Sequence, residues 1–241
     1  MNPRKNLLFL PAALILVAPA AAIQIDWGSP TDSIIRDSFG NPLDDTFAIQ
    51  LGYFVSVLGE EPFVPSVTNV ADWSSHWKVF DQAEFDPETG YFSSSVLLNA
   101  DGSSSSPAAD HDAGLSFSNQ NAYIWIHNSE NPVPGSEWFL ARSATASAAT
   151  AGASATAAWH IPTATGGCCD DRQPLTWSVT DLDGGDVPTY GKQGNATGAG
   201  EFAVTGVYDV QTFTFVPEPS AVLLVAIGGA AVMLRRRRTQ C

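Results

Sequence analysis

An antiparallel all-β domain, a sandwich or jelly roll with one short helix, is what residues 23–215 predict. Three observations point there. Apolar side chains occupy every second position over several stretches, the mark of a strand with one buried face. At least seven short runs of strand-forming residues are separated by clusters of Gly, Pro, Asn, Asp and Ser, the residues turns require. No helical segments alternate with these runs, which argues against a parallel α/β sheet.

The clearest strand covers residues 47–57, where Phe47, Ile49, Leu51, Tyr53, Val55 and Val57 alternate with Gln50, Gly52 and Ser56 between them. A helix over 69–82 follows, with Asn69 as its cap and Trp73, Trp77 and Phe80 at helical spacing. Its aromatic stripe reads as core packing rather than a ligand platform. The turn Asp86-Pro87-Glu88-Thr89-Gly90 leads into a strand over 91–98. Residues 122–127 and 138–142 are short aromatic and β-branched runs bounded by turn clusters. Residues 143–158 contain only Ala, Ser, Thr and Gly, with no large side chain to bury, and read as an exposed insertion. Leu175, Trp177 and Val179 again alternate with Thr176, Ser178 and Thr180. Residues 204–215 change their apolar face midway, which calls for a bulge or two strands in succession.

The two ends have a different character. Residues 216–241 open with Val216-Pro217-Glu218-Pro219-Ser220, continue as an uncharged apolar run over 221–234, and close with Arg235, Arg236, Arg237 and Arg238 before a short end. As a helix the apolar run spans roughly 21 Å, less than the ~30 Å of a bilayer core. Gly228-Gly229 weakens it by about 1 kcal/mol per glycine relative to alanine. A short, weakened span with a basic end suits a transient membrane stop, with the arginines held cytoplasmic and the rest of the chain outside. A Pro-Glu-Pro box, one hydrophobic helix and a terminal arginine cluster closely resemble the PEP-CTERM sorting signal of exported bacterial proteins. That resemblance implies recognition by an exosortase, an intramembrane processing enzyme, and cleavage near the box. At the other end Arg4 and Lys5 precede an apolar run over 7–18, broken by Pro11, and then Ala20-Ala21-Ala22. This is the layout of a secretory signal peptide over residues 1–22. A signal helix and a hydrophobic tail helix are thus expected to flank the domain.

Between these ends, residues 23–216 carry five basic against 24 acidic side chains, a net charge of −19. Such a surface repels phosphate backbones, so nucleic-acid binding is excluded, and it opposes anionic lipid. Cys168 and Cys169 are neighbours, so a disulfide between them would close a strained ring, and Cys241 lies beyond the sorting signal. Gly166-Gly167-Cys168-Cys169-Asp170-Asp171 lacks the spaced pairs of a zinc site or the Cys-x-x-Cys of a redox site, and a structural turn is favoured.

Asp181, Asp183 and Asp186 around Gly184-Gly185 are the candidate metal ligands, able to present hard oxygens to calcium. The loop departs from an EF-hand because Lys192 stands where the bidentate glutamate belongs, and an ordinary acidic turn is the preferred alternative. Asp110-His111-Asp112 reads as a solvated loop tip. His76, His111, His127 and His160 fall in no catalytic signature, and no Gly-x-Ser-x-Gly, His-Glu-x-x-His or phosphate loop is present. No catalytic residue and no required cofactor are therefore expected.

Asp72-Trp73, Trp77-Lys78-Val79-Phe80-Asp81, Gly90-Tyr91-Phe92 and Gly167-Cys168-Cys169-Asp170 resemble the cores of uncharacterised PEP-CTERM proteins of surface-matrix bacteria. The resemblance implies no activity and favours a structural or adhesive role. The expected function is thus a non-enzymatic exported cell-surface or extracellular-matrix protein, with an exosortase as partner and a transient inner-membrane stage. A carbohydrate-binding sandwich module is the alternative, meeting extracellular polysaccharide through exposed tryptophans such as Trp125 or Trp138, with or without calcium. An extracellular hydrolase ranks third. N-terminal sequencing of exported protein should begin near Ile23, and an intact Met1 on surface-located material would overturn the signal-peptide reading.

Overall fold

A computed structural model describes residues 22–31, 33–56, 61–143, 158–163, 174–182, 188–193 and 210–215. Both terminal helices expected from sequence, the bulk of the Ala/Ser/Thr run and the Cys168-Cys169 turn lie outside these residues. The described strands, in chain order, are β1 (Ile23–Gly28), β2 (Ile35–Arg36), β3 (Ala48–Phe54), β4 (Trp77–Phe85), β5 (Phe92–Leu98), β6 (Gln120–Asn121) and β7 (Tyr123–His127). They continue as β8 (Glu137–Ala141), β9 (His160–Ile161), β10 (Leu175–Ser178), β11 (Lys192–Gln193), β12 (Val210–Gln211) and β13 (Phe213–Thr214).

Eight of them form one curled sheet in the order β10-β1-β5-β4-β3-β7-β8-β13, antiparallel throughout except for the parallel pair β1–β10. Two small sheets, β11-β12-β2 and β6-β9, pack with it. Ile35, Val210, Trp159 and Ile161 from in and around these small sheets join Ile25, Leu51, Phe80, Phe92, Ile124 and Phe139 of the large one in a single core. The all-β expectation holds. Trp159 N donates to Ser143 O at 3.0 Å, so the residues that bound the Ala/Ser/Thr run lie side by side.

The helix expected over 69–82 is corrected. A 3₁₀ turn at Val70–Asp72 and one α turn at Trp73–His76 are followed directly by strand β4 from Trp77. Asn69 makes no capping bond. Its Oδ1 accepts instead from Ser66 N and from the Trp73 indole, at 2.8 and 2.9 Å. The misleading spacing has a physical origin. Between Leu51 and Gly52 the β3–β4 register shifts, Leu51 facing Asp81 and Gly52 facing Val79, so Phe80 is the extra residue of a β-bulge. Trp77 and Val79 therefore point to one face of the sheet, while Phe80, Asp81 and Ala83 point to the other. A strand that changes face at a bulge places apolar residues three and four apart, as a helix does.

Strand β1 was not among the expected strands, although Ile23, Ile25 and Trp27 alternate with Gln24 and Asp26. It pairs with β5 over six residues, and the small Ser94 sits opposite Trp27. The Trp27 indole donates to Asp81 Oδ2 at 2.7 Å, so the bulge and the first strand are fastened by one buried bond. The strand begins at Ile23, where the leader is expected to end.

The β3–β4 approach at the bulge depends on Gly52. A Cβ there would overlap the Lys78 carbonyl oxygen and lie 2.7 Å from the Trp77 ring, with backbone on one side that cannot yield. Gly52→Ala should lower stability by about 1–3 kcal/mol, measured by urea unfolding of residues 23–215. An unchanged midpoint would show that the strands can separate at no cost.

Candidate functional site

Trp125 and Trp138, expected as exposed platforms, are both fully buried, and the other five tryptophans are buried as well. This corrects the sugar-stacking residues of the alternative reading. Alternate residues of β3, β7 and β8 point away from the main core, and the segment after β3 covers them. Phe54, Trp73, Trp77, Trp125, Trp138 and Leu140 form this second core, with Phe63, Tyr190 and Phe215 at its margin. Trp73 stacks on Trp138 at 5.6 Å and meets Trp125 edge-on at 6.2 Å. Tryptophans placed there contribute packing and are closed to a sugar ring.

Several acidic residues are committed in the same way. Asp181 Oδ2 accepts from the Trp159 indole at 3.0 Å and from Ser178 N at 2.8 Å, fixing the 3₁₀ turn at Val179–Leu182 against β10. Asp183 and Asp186 lie outside the described residues, and among those described no group of three His, Cys, Asp or Glu side chains converges as for a metal. Asp110 is no simple loop tip. Its N–H donates to Val79 O at 2.9 Å and its Oδ2 accepts from Val79 N at 2.8 Å, while Asp112 pairs with Lys78 and raises that lysine's pKa. Glu137 is buried and takes three bonds, from Ser38 N, Ser38 Oγ and Thr212 Oγ1 at 2.8, 2.8 and 2.6 Å.

The neighbouring pair His127 and Trp125 lacks such partners. Both ring nitrogens of His127 and the Trp125 indole nitrogen are enclosed without a hydrogen bond among the described residues. Glu130 Oε1 stands 4.0 Å from His127 Nε2 and accepts instead from Gln50. Burial pushes the His127 imidazole down to about 4, so it is neutral at pH 7. Sequence reasoning singled out no role for it.

Strands β4 and β5 pair only at Glu84–Ser93 and Phe85–Phe92, then part. The gap is partly filled by the loop after β5, whose Ser104 donates to Phe80 O at 2.6 Å. What remains is a groove of about 390 Å³ lined by Gln82, Glu84, Ser93, Ser95, Ser105 and Pro107 among others. Its hydroxyls and single exposed carboxylate present hydrogen-bonding groups without an aromatic floor.

At the far edge of the sheet, Phe213 and Thr214 pair with Trp138 and Glu137, and Phe215 N donates to Ser136 O at 2.6 Å. The Phe215 ring packs on Trp138 at 5.7 Å. The tail thus leaves from a chain end that is built into the fold. Residues 215–238 match the PEP-CTERM protein-sorting motif. The chain therefore carries a PEP-CTERM sorting domain, which implies an exported protein with a membrane-anchored processing step carried out by an exosortase-type enzyme. No curated protein and no solved structure matched the chain.

The depressed His127 pKa links stability to pH. Unfolding returns the imidazole to its ordinary pKa near 6.5, so the unfolded state binds the extra proton between those values. The contribution is complete above about pH 6.5 and is lost as pH falls toward 4, by about 3 kcal/mol in all. His127→Phe should match the parent at pH 7 and lose less between pH 6.5 and 4, checked by thermal melts across that range. Parallel pH profiles would show that His127 does not titrate as a buried group.

Proposed function

We propose that residues 23–215 form a non-enzymatic cell-surface or extracellular-matrix domain. Pro217, Glu218 and Pro219 mark it for an exosortase, and Arg235 to Arg238 hold its tail in the inner membrane. The observation that carries this reading is the sorting motif itself, which begins at Phe215, the residue that follows the last strand. The structural side supports a passive role. Buried acids such as Asp81 and Glu137 serve as acceptors that tie segments together, and the tryptophans are packed inside. These are investments in a stable, acidic, soluble body of the kind a matrix requires.

A second reading is favoured by the serine-lined groove between β4 and β5, whose polar lining suits the hydroxyls of an extracellular polysaccharide. A polysaccharide pull-down with residues 23–215, parent against Glu84→Ala, tests it. Equal retention of the two proteins would remove the groove from consideration.

For the leading reading, replacing Pro217, Glu218 and Pro219 with alanines leaves hydrophobicity and charge asymmetry nearly intact. Membrane insertion should survive, recognition should fail, and uncut precursor should accumulate in the membrane. Replacing the four arginines with glutamines should instead weaken retention and release precursor. Mass spectrometry of the membrane and released fractions separates the outcomes, and normal tail removal in the alanine variant would falsify the sorting mechanism.

A further inference from the structure

We propose that the end of the sheet from which the tail departs is a membrane-contact surface. While the tail is inserted, Phe39, Phe213 and Val133 rest in the outer headgroup layer of the bilayer. The inference rests on the sorting reading and extends it from the tail to the folded domain.

The first support is length. Phe215 is fastened to Ser136 by its N–H and to Trp138 by its ring, so it moves with the domain. Six Cα steps separate it from Ala221, where the apolar run starts, a reach of roughly 20 Å at most. With its arginines at the cytoplasmic boundary, the 221–234 helix climbs roughly 21 Å through a core of about 30 Å, and so ends about 9 Å short of the outer boundary. Glu218 and the proline-bounded backbone around it cannot lie in hydrocarbon, so the bilayer thins locally to meet the short helix and the Pro-Glu-Pro box sits in the outer headgroup layer. Phe215 is three Cα steps from Glu218, roughly 10 Å at most, and a headgroup layer is about 5–8 Å thick on each side, so the exit end of the domain stands at that layer.

The second support is what that end displays. Ser38 Oγ lies 2.7 Å from Thr214 Oγ1, and Ser38 N bonds Glu137, which brings the 37–41 turn against the last strand. Asp37 folds that turn by accepting from Phe39 N and Asn41 N, and the Phe39 ring at its apex is 80% exposed. Phe213 immediately precedes Thr214 and is 42% exposed. Val133 belongs to the loop that Ser136 closes by accepting Val133 N and donating to Asn131 O, and it is 49% exposed. Three of the six large exposed apolar side chains among the described residues thus flank the point where the chain leaves for the membrane. Two of the three nearest acids are withdrawn, and the third, Glu130, is half exposed and accepts from Gln50. Glu137 is buried and Asp37 is turned into its own loop. A domain of net charge −19 has no electrostatic attraction to anionic lipid, so the contact must be apolar and best on zwitterionic bilayers.

The test uses the full-length precursor reconstituted in phosphatidylcholine vesicles, with the photoreactive benzoylphenylalanine placed singly at Phe39, Phe213, Leu97 or Leu223. Leu97 is 40% exposed but lies on β5, five strands from β13, and Leu223 reports tail insertion. Lipid adducts are counted by mass spectrometry. Positions 39 and 213 should exceed position 97 by about tenfold, as burial of one aromatic side chain predicts, and yields should fall in phosphatidylserine vesicles. Adducts at 223 with no excess at 39 and 213 overturn the contact while leaving the sorting reading intact. No adducts at 223 overturn the membrane-anchored reading and this inference with it. Crosslinks from position 39 to a second copy of the chain, in place of lipid, also overturn it.

Discussion

Strands β3, β7 and β8 carry large apolar side chains on both faces, and this forces the sheet to be covered twice. Ile49, Leu51, Ile124, Ile126 and Phe139 face the main core, while Phe54, Trp125, Trp138 and Leu140 face the other side. Leaving either set in water would forfeit about 1.5–3 kcal/mol per side chain. The segment after β3 answers the demand. Phe63 stacks on His76 at 4.0 Å, Trp73 stacks on Trp138, and the backbone returns as β4. The bulge at Phe80 then lets β4 serve both cores in turn, the outer one through Trp77 and Val79 and the inner one through Phe80 and Ala83.

With the hydrophobic work divided between two cores, buried polar groups act as the fasteners between distant segments. Asp81 ties β1 to β4 through Trp27, Asp181 ties the second 3₁₀ turn to Trp159, and Glu137 ties the 37–41 turn to Thr212. Hydrogen bonds accepted by a buried carboxylate offset much of the cost of leaving water, and one deprived of its donors would be strongly destabilising. Glu137 has a further consequence. By locking Thr212 and lining up β13 against β8, it sets the position from which the sorting tail departs, and so links the packing of the domain to the chemistry at the membrane.

Legibility in sequence followed how local the determinants are. The strands at 48–54, 92–98, 123–127 and 137–141 were readable because alternation and flanking turns suffice to define them. Of the 204–215 segment, the described residues 210–215 form two short strands in succession, β12 and β13, with Thr212 between them. The 69–82 segment misled because a bulge mimics helical spacing, and a bulge is set by the partner strand rather than by the residues that form it. Trp125 and Trp138 misled because alternation shows that a side chain points outward from one core, not that a second core awaits it. The serine-lined groove and the His127 cluster had no signal at all, since each joins residues from separate strands and loops.

The sequence by itself determined the β-rich character of the domain, its acidity and the sorting tail. Each rests on composition, on a period of two, or on a contiguous run of charge and apolarity, and none needs a distant partner. Only the tertiary structure decided that all seven tryptophans are internal, that Asp81, Asp181 and Glu137 are hydrogen-bond acceptors holding segments together, and that the tail leaves from a locked edge strand beside Phe39 and Val133. These depend on contacts between residues up to 176 positions apart, as between Ser38 and Thr214. A linear pattern carries no information on which strand will lie beside which, because register and burial are settled only when both faces of the sheet are covered at once.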